Sequence, residues 1–473
     1  MKKLSGGKPA YRPEAAENKA PQSGVRCLVS SRSDGKLDLM RSAMIRTMTL
    51  ATMGILAVGL AASQTLTLNQ ALEMARQKNG SLAAARANVR AALAREKQAF
   101  GAFLPTITPS LSYQDSRTEF FTGRSNGRTS ISSGTTTQVE GNWQLLDSGE
   151  RDLRFRSARR GYEAETFSAI QSLRTTLFDV HTQYFEALRA QQLVNVTTIQ
   201  RDRAQEVLKQ TDARIKVGEV AEKDRFQADA DALNAEVDRL GALARLRQAE
   251  AALKATIGLD MATKLPALED FAEPSTEPVV PQIADAMKEG LENRADLNAS
   301  RRRLEGNRFG LRLTKLDAGL KWSVDLGYTK QFSTDNVNQR LLGIRASIPL
   351  FDGDRSRQAV KESEAGVEAS ENLLVQQERQ VSAEIESALE TYTLNFDRVK
   401  AAKRALEAAR VNFDKVVRAN ALGAQDADVV AISTARVSLA TAERNYIEAI
   451  YDYYISDVRF RLVVGRSLPG ESE

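Results

Sequence analysis

Residues 139–151 read Val139-Glu140-Gly141-Asn142-Trp143-Gln144-Leu145-Leu146-Asp147-Ser148-Gly149-Glu150-Arg151, and residues 342–355 read Leu342-Gly343-Ile344-Arg345-Ala346-Ser347-Ile348-Pro349-Leu350-Phe351-Asp352-Gly353-Asp354-Arg355. Val139, Gly141, Trp143 and Leu145 share one parity, as do Leu342, Ile344, Ala346, Ile348 and Leu350, and a period of two predicts a strand in each. An acidic-glycine turn follows in both, and then a helical pattern to Lys216 in the first and to about Asn420 in the second. Each helix meets a glycine break, Val217-Gly218-Glu219 or Leu422-Gly423-Ala424, and a second helical stretch returns to Ile257-Gly258 or Val464-Gly465. One plan is therefore stated twice.

Upstream of each strand–helix unit the plan also repeats. Asn69 reads as an N-cap for a helix ending at Gly80, and Ser81 as the cap of a helix that stops at Pro105, where the missing N–H ends the ladder. Ile107, Leu111 and Tyr113 then alternate with Thr108, Ser110 and Ser112 as a strand, and the Ser/Thr/Gly-rich stretch Thr118–Gly134 reads as an exposed loop. In the second copy Leu320, Trp322, Val324, Leu326 and Tyr328 alternate with polar residues, and Ser333–Gln339 is the loop. A Pro-rich passage, 266–281, joins a first repeat at 64–265 (hairpin 105–146) to a second at 282–465 (hairpin 320–351), and 466–473 is left as a tail.

The formal net charge of the 473 residues is +5, which invites a nucleic-acid reading. Ten of the 66 basic residues but only four of the 61 acidic ones fall in residues 1–63, so the remainder carries 56 and 57 and is nearly neutral. No nucleic-acid partner is expected. Arg41 and Arg46 introduce an apolar run from Met48 to Ala62, with Ala61-Ala62-Ser63 before Gln64; the pattern is that of an export signal removed on secretion, the alternative being a retained anchor. Met40 or Met44 would open such a signal, and residues 1–63 are read as extension plus signal. Cys27, the one cysteine, lies in that leader, so no disulfide framework is expected.

Long helices dictate what the strands can be. A helix from Glu150 to Lys216 spans roughly 100 Å at ~1.5 Å per residue, far beyond a small domain. Ile385, Tyr392, Val399, Leu406 and Phe413 recur every seven residues, as do Leu173, Val180, Ala187 and Val194, which is coiled-coil spacing. Many seam positions are Ala, suiting a thin-walled tube, though a solid bundle satisfies the same pattern. Isolated hairpins are marginal in water, so the two ribbons suit either a membrane barrel wall or the edge of a soluble sandwich. Four strands are too few to close a filled barrel, and several subunits would have to contribute.

Catalytic constellations are missing. His181 is the single histidine and sits mid-helix, and the sequence has no GxxxxGK[ST], HExxH or GxSxG. The expectation is no enzyme, no cofactor and no metal. At the strand–helix corners Gly149 and Gly353 permit the required backbone angles, Pro349 precedes the second corner, and Asp147, Ser148, Asp352 or Asp354 would accept free N–H groups of the first helical turn. Acidic residues follow the glycine breaks, Asp426 and Asp428 in the second copy, read either as solvated loop charge or as a ring at a pore mouth.

Leu68-Asn69-Gln70-Ala71-Leu72, Leu104-Pro105, Arg214-Ile215-Lys216-Val217-Gly218 and Ile348-Pro349-Leu350-Phe351-Asp352-Gly353, in this order over Leu66 to Gly465, resemble the TolC-like outer membrane efflux proteins. The resemblance implies a fold that is mainly α with a small β part: duplicated long helical hairpins forming a trimeric α-helical barrel, and four strands per protomer contributing to a shared twelve-stranded transmembrane β-barrel. It implies a homotrimer in the outer membrane of a Gram-negative bacterium, in contact with its lipid and extending into the periplasm. There it would serve as the channel-tunnel of a tripartite efflux or type I secretion system, joined to a periplasmic adaptor and an inner-membrane pump of RND or ABC type. It places Val217, Gly218, Glu219, Leu422, Gly423 and Ala424 at the adaptor and Asp426 and Asp428 near the periplasmic entrance. The chain departs from the family's best-known member around the second turn, where Asn420 and Gln425 stand in place of a Tyr and an Arg. The rival reading is a periplasmic adaptor or other exported coiled-coil protein, which needs no duplicated strand pairs.

Overall fold

A computed structural model describes residues 65–120, 128–218, 221–271, 273–274, 280–332, 337–422 and 429–471. Their elements, in chain order, are helices α1 (Leu68–Lys78) and α2 (Gly80–Gly101), strands β1 (Thr106–Phe120) and β2 (Arg128–Asp147), and helices α3 (Glu150–Lys216) and α4 (Glu222–Ile257). The same succession follows as α5 (Ile283–Asn293), α6 (Ala295–Asp317), β3 (Lys321–Phe332), β4 (Val337–Ser347), α7 (Arg355–Ala421) and α8 (Val429–Val464). The long helices α3 and α7 have 67 residues each, and the returning helices α4 and α8 have 36 each.

Short-range chemistry sets the first boundaries, and it differs from expectation by two residues. Thr67, not Asn69, caps α1: its Oγ1 accepts from Gln70 N at 3.2 Å while Gln70 Oε1 accepts from Thr67 N at 3.1 Å, a reciprocal capping box. Asn79 closes α1 and opens α2 at once, its Oδ1 accepting from Ser81 N and Leu82 N. Ser81 therefore sits inside the helix that it was expected to cap.

The four strands make one antiparallel sheet in the order β1-β2-β3-β4. Thr118–Gly134 is mostly strand, because pairing continues through Thr118↔Ser130 to Phe120↔Arg128. Its Ser and Thr residues suit a pleated, solvated surface as well as they suit a loop. Val337 likewise opens β4 inside the stretch expected as the second loop.

Two helical rows continue from the sheet. Beside it α2, α3, α6 and α7 are neighbours in that order; farther away the order is α4, α3, α8, α7. Both rows are one helix thick, with α7 at one border and α2 or α4 at the other. The heptad positions Ile385, Tyr392, Val399 and Leu406 are buried where α7 meets α8, and Val180 and Ala187 where α3 meets its neighbours. At mid-length the short helices α1 and α5 thicken the wall. Tyr184 Oη donates to Leu66 O at 2.7 Å, pinning the Leu66↔Leu268 bridge between the start of the unit and the inter-repeat passage. Phe185 stacks on Tyr454 at 5.3 Å, and Tyr392 on Phe460 at 5.7 Å. The tail beyond Gly465 joins this core: Leu468 is buried and Glu471 pairs with Arg174 at 3.1 Å.

Arg294 at the α5–α6 junction binds Asp296 at 2.7 Å and Glu384 of α7. Burial pushes the Asp296 carboxyl up, but Arg294 and the Leu297 N–H outweigh it and hold it below the ordinary value of 3.8. A depressed carboxylate contributes stability that is complete above its unfolded pKa and is lost as pH falls through the folded one. Asp296→Asn is therefore expected to cost about 2 kcal/mol at neutral pH and progressively less as pH falls through the lowered pKa of the folded carboxyl. Thermal melting of both forms from pH 7 to pH 3 should show the curves converging; parallel curves would remove Asp296 from the acid response.

Candidate functional site

The sheet's two faces separate the residues that meet apolar and polar surroundings. Cross-strand partners share a face, so Trp143↔Leu326 and Leu326↔Leu342 form one row, and Leu146↔Val324 and Val324↔Ile344 the next. Ile107, Leu111, Tyr113, Trp322 and Tyr328 fall on the same side by register. The other face carries the row Thr108, Glu140, Thr329, Gln339. The apolar face is bare in one protomer: Ile107 is 74% exposed and Ile344 81%. A bulge between Gln144 and Leu146 changes the expected parity, placing Leu146 and not Leu145 on that face. An extra residue in one strand shifts every later side chain to the opposite side.

The strand–helix corners come next. Gly149 is the N-cap of α3 in the left-handed region, φ 93°, and Asp147 accepts from Gly149 N at 2.9 Å and Arg151 N at 3.2 Å. In the second corner the N-cap is Asp354, φ 67°, preceded by Gly353 at φ 70°. Asp352 accepts from Ser356 N at 2.9 Å. Asp147 thus corresponds to Asp352 and Gly149 to Asp354, while Gly149 and Gly353 both take the left-handed backbone at their corners. Ser148, expected to bond the helix, instead accepts from Trp322 N at 2.7 Å and lengthens the β2–β3 ladder. Pro349 lies in the exposed segment after β4, followed by Leu350 and Phe351 at 90% and 92% exposure.

Arg151 was not singled out by the sequence, yet it organises the first corner. Its Nε donates to Asp147 at 2.7 Å, and its terminal nitrogens reach Gln144 O at 2.6 Å, Ala102 O at 3.3 Å and Leu145 O at 3.4 Å. The guanidinium also lies 5.1 Å from the Phe103 ring centre. One planar cation thereby joins the α2 end, the bulge in β2 and the first turn of α3. Its i+4 spacing from Asp147 was the available signal, indistinguishable in sequence from the exposed pair Glu150–Arg154.

At the far end Val217 is the C-cap of α3, 70% exposed, with Gly218 at φ 76° after it, and Leu422 closes α7 at 88% exposure. Glu219, Gly423, Ala424, Gln425, Asp426 and Asp428 lie outside the described residues. Just above, the hairpins are tied together. Asp231 of α4 pairs with Arg436 of α8 at 3.0 Å and accepts from Ser433 at 2.5 Å. Arg214 donates to Asn420 at 3.1 Å, and Gln200 to Glu443 at 3.4 Å. Sequence periodicity marks these only as charged helix positions.

His181 is buried, and its Nδ1 faces Leu177 O at 2.7 Å. Burial holds the imidazole's pKa below its ordinary value, so the ring is neutral at pH 7. Among the described residues no His/Cys/Asp/Glu group is arranged to hold a metal, and no helix is long and apolar enough to cross a membrane.

Known proteins share this frame. The family model described as outer membrane efflux protein matches residues 71–259 and 286–466, one span in each repeat. Outer membrane protein TolC of Escherichia coli (strain K12) is 23% identical over 419 residues, covering 85% of this chain and 83% of that protein. Outer membrane protein TolC of Vibrio cholerae serotype O1 is 25% identical over 342 residues, 68% of this chain and 73% of that one. The crystal structure of the Campylobacter jejuni CmeC outer membrane channel superposes with a TM-score of 0.75 at 17% identity, covering 89% of this chain and 93% of that one. A duplicated frame of two-faced ribbons and one-layer helical rows, matched in both repeats, makes this chain a member of the outer membrane efflux protein family, located in the outer membrane.

Proposed function

We propose that three copies of the chain close into one channel-tunnel, the outer membrane exit duct of a tripartite efflux or type I secretion system. The observation that carries this reading is the pair of unfinished borders. Among the described residues β1 and β4 each lack a partner on one side within the protomer, and the helical rows end at α2 or α4 on one side and α7 on the other. Phe226, Leu233 and Leu240 recur every seven residues along α4 and stand 60%, 61% and 53% exposed. Leu373 and Leu394, three heptads apart on α7, stand 64% and 66% exposed. Exposed apolar residues at heptad-related positions on opposite borders suit a neighbouring helix. Closure by identical copies satisfies the strand edges and the seams together.

In this reading the polar sheet face lines the pore and the helices prolong it into the periplasm. Val217, Gly218, Glu219, Leu422, Gly423 and Ala424 meet a periplasmic adaptor, through which an inner-membrane pump delivers cargo. Asp426 and Asp428 narrow the entrance, and the Asp231–Arg436 pair holds the two hairpins of a protomer in the narrowed arrangement. Exchanging Asp426 and Asp428 for Ala is expected to raise single-channel conductance in planar bilayers severalfold, as is Asp231→Ala. Wild-type protein that gives no channels would overturn the duct. Channels unchanged by these substitutions would take the three carboxylates out of the entrance. A cysteine introduced at Gly218 and crosslinked in cells is expected to capture an adaptor.

A further inference from the structure

A groove of about 910 Å³ lies on α3, walled by α4 and α8. Its floor is Thr182, Glu186, Arg189, Leu193 and Thr197 of α3. It exists because α4 and α8 meet at Asp231–Arg436 and diverge above that pair, leaving α3 uncovered between them. At 3.6 residues per turn, the floor lies roughly 120° around α3 from Tyr184, Phe185 and Gln192, which hold the inter-repeat passage. The groove therefore opens on a different face of α3 from that strap.

Its charges are unevenly matched. Arg189 is engaged by Glu186 and by Asp452 at 3.0 Å, and Glu448 approaches Arg398 at 4.0 Å. Arg245 on the α4 wall and Arg444 on the α8 wall line the same groove, are exposed, and have no ion-pair partner among the described residues. Thr182 Oγ1 is buried there without a hydrogen-bond partner. Gly241 opens the α4 wall: a Cβ at that position would meet no atom within 4 Å. Mid-helix glycine costs about 1 kcal/mol relative to alanine, and no packing neighbour here requires it. Ala190, Leu193, Val237 and Ala249 add apolar surface to the lining.

We propose that this groove is a binding subsite for amphiphilic organic anions, with the acid group held between Arg245 and Arg444 and the apolar body along α3. The volume is that of a pocket for a drug-sized molecule. Two guanidinium groups on different walls of a partly apolar trough favour a carboxylate or sulfonate over a cation. The lining as a whole holds as many acids as arginines, but of its side chains without an ion-pair partner among the described residues, Arg245 and Arg444 outnumber Asp238, which sits on the α4 wall one helical turn from Gly241. The groove's place in a duct rests on the channel reading above; its preference for anions does not.

Full-length protein in lipid nanodiscs, titrated calorimetrically with 1-naphthalenesulfonate and separately with 1-naphthyltrimethylammonium, provides the test, with empty nanodiscs subtracted. The sulfonate is expected to bind at least about tenfold more tightly than the cation, and the Arg245→Gln/Arg444→Gln double variant to lose about that factor. Gly241→Leu, which fills the trough, is expected to abolish sulfonate binding. Equal affinity for the two ions, or sulfonate affinity unchanged in both variants, overturns the subsite. Planar-bilayer recordings on the same preparation keep the two ideas apart: channels without sulfonate preference reject the groove alone, and sulfonate binding without channels rejects the duct alone.

Discussion

Arg151→Ala is expected to destabilise the folded protein by about 3–5 kcal/mol, the cost of leaving one member of a buried ion pair without its partner. Both side chains of the Asp147–Arg151 pair are about nine-tenths covered, 10% and 11% exposed. Removing the guanidinium leaves the Asp147 carboxylate with two backbone N–H groups and strips donors from Gln144 O, Ala102 O and Leu145 O. Arg151→Lys should recover little, since a single ammonium cannot reach a carboxylate and carbonyls from three separate segments in one plane. The Asp147→Asn/Arg151→Met double variant should be milder than Arg151→Ala alone, because no charge is then stranded. Denaturant or thermal unfolding of the detergent-purified variants measures this. A loss under about 1 kcal/mol for Arg151→Ala, or a double variant worse than the single, would show that the corner is held by its backbone and not by this cation.

The second large effect concerns two adjacent leucines. Leu342→Arg puts a cation in the middle of β4 on the lipid-facing side, at a cost of about 2–4 kcal/mol near the bilayer midplane. That cost is repeated in every copy sharing the barrel. Leu341→Arg puts the same cation on the polar face, opposite Gly327, where the Leu341 Cβ stands 3.6 Å from the point a Gly327 Cβ would occupy. The first variant is expected to be depleted from outer membrane fractions several-fold, and the second to remain at near wild-type levels. Fractionation followed by immunoblotting decides it; equal depletion, or depletion of the second alone, would reverse the assignment of faces.

Both predictions turn on features of different legibility. The alternation in Leu342, Ile344 and Ala346 is a local pattern with a period of two, and it reports which residues share a face wherever the strand is regular. It fails at Leu145, because a bulge is a property of two strands in register and only the pairing of β2 with β3 shows the extra residue. Polar hairpin ends were misread for a related reason. The ladder from Thr118↔Ser130 to Phe120↔Arg128 is held by backbone hydrogen bonds, which leave no apolar signature. The corner caps were half legible: Asp147 and Asp352 act as acceptors at matching places, but Ser148 takes a role that depends on what lies opposite it. For Ser148 that is Trp322, 174 positions away.

By itself the sequence determined the duplicated order of elements, the great length of α3 and α7 and the two-faced character of the strands, because helix and strand periodicities and glycine breaks are short-range properties. The tertiary structure alone decided which helices are neighbours, which cation among many becomes the buried Arg151, and that α4 and α8 part above Asp231–Arg436 to leave a groove. Those outcomes depend on contacts between residues far apart in the chain, where one arginine at i+4 from an aspartate looks like any other until the packing around it excludes water.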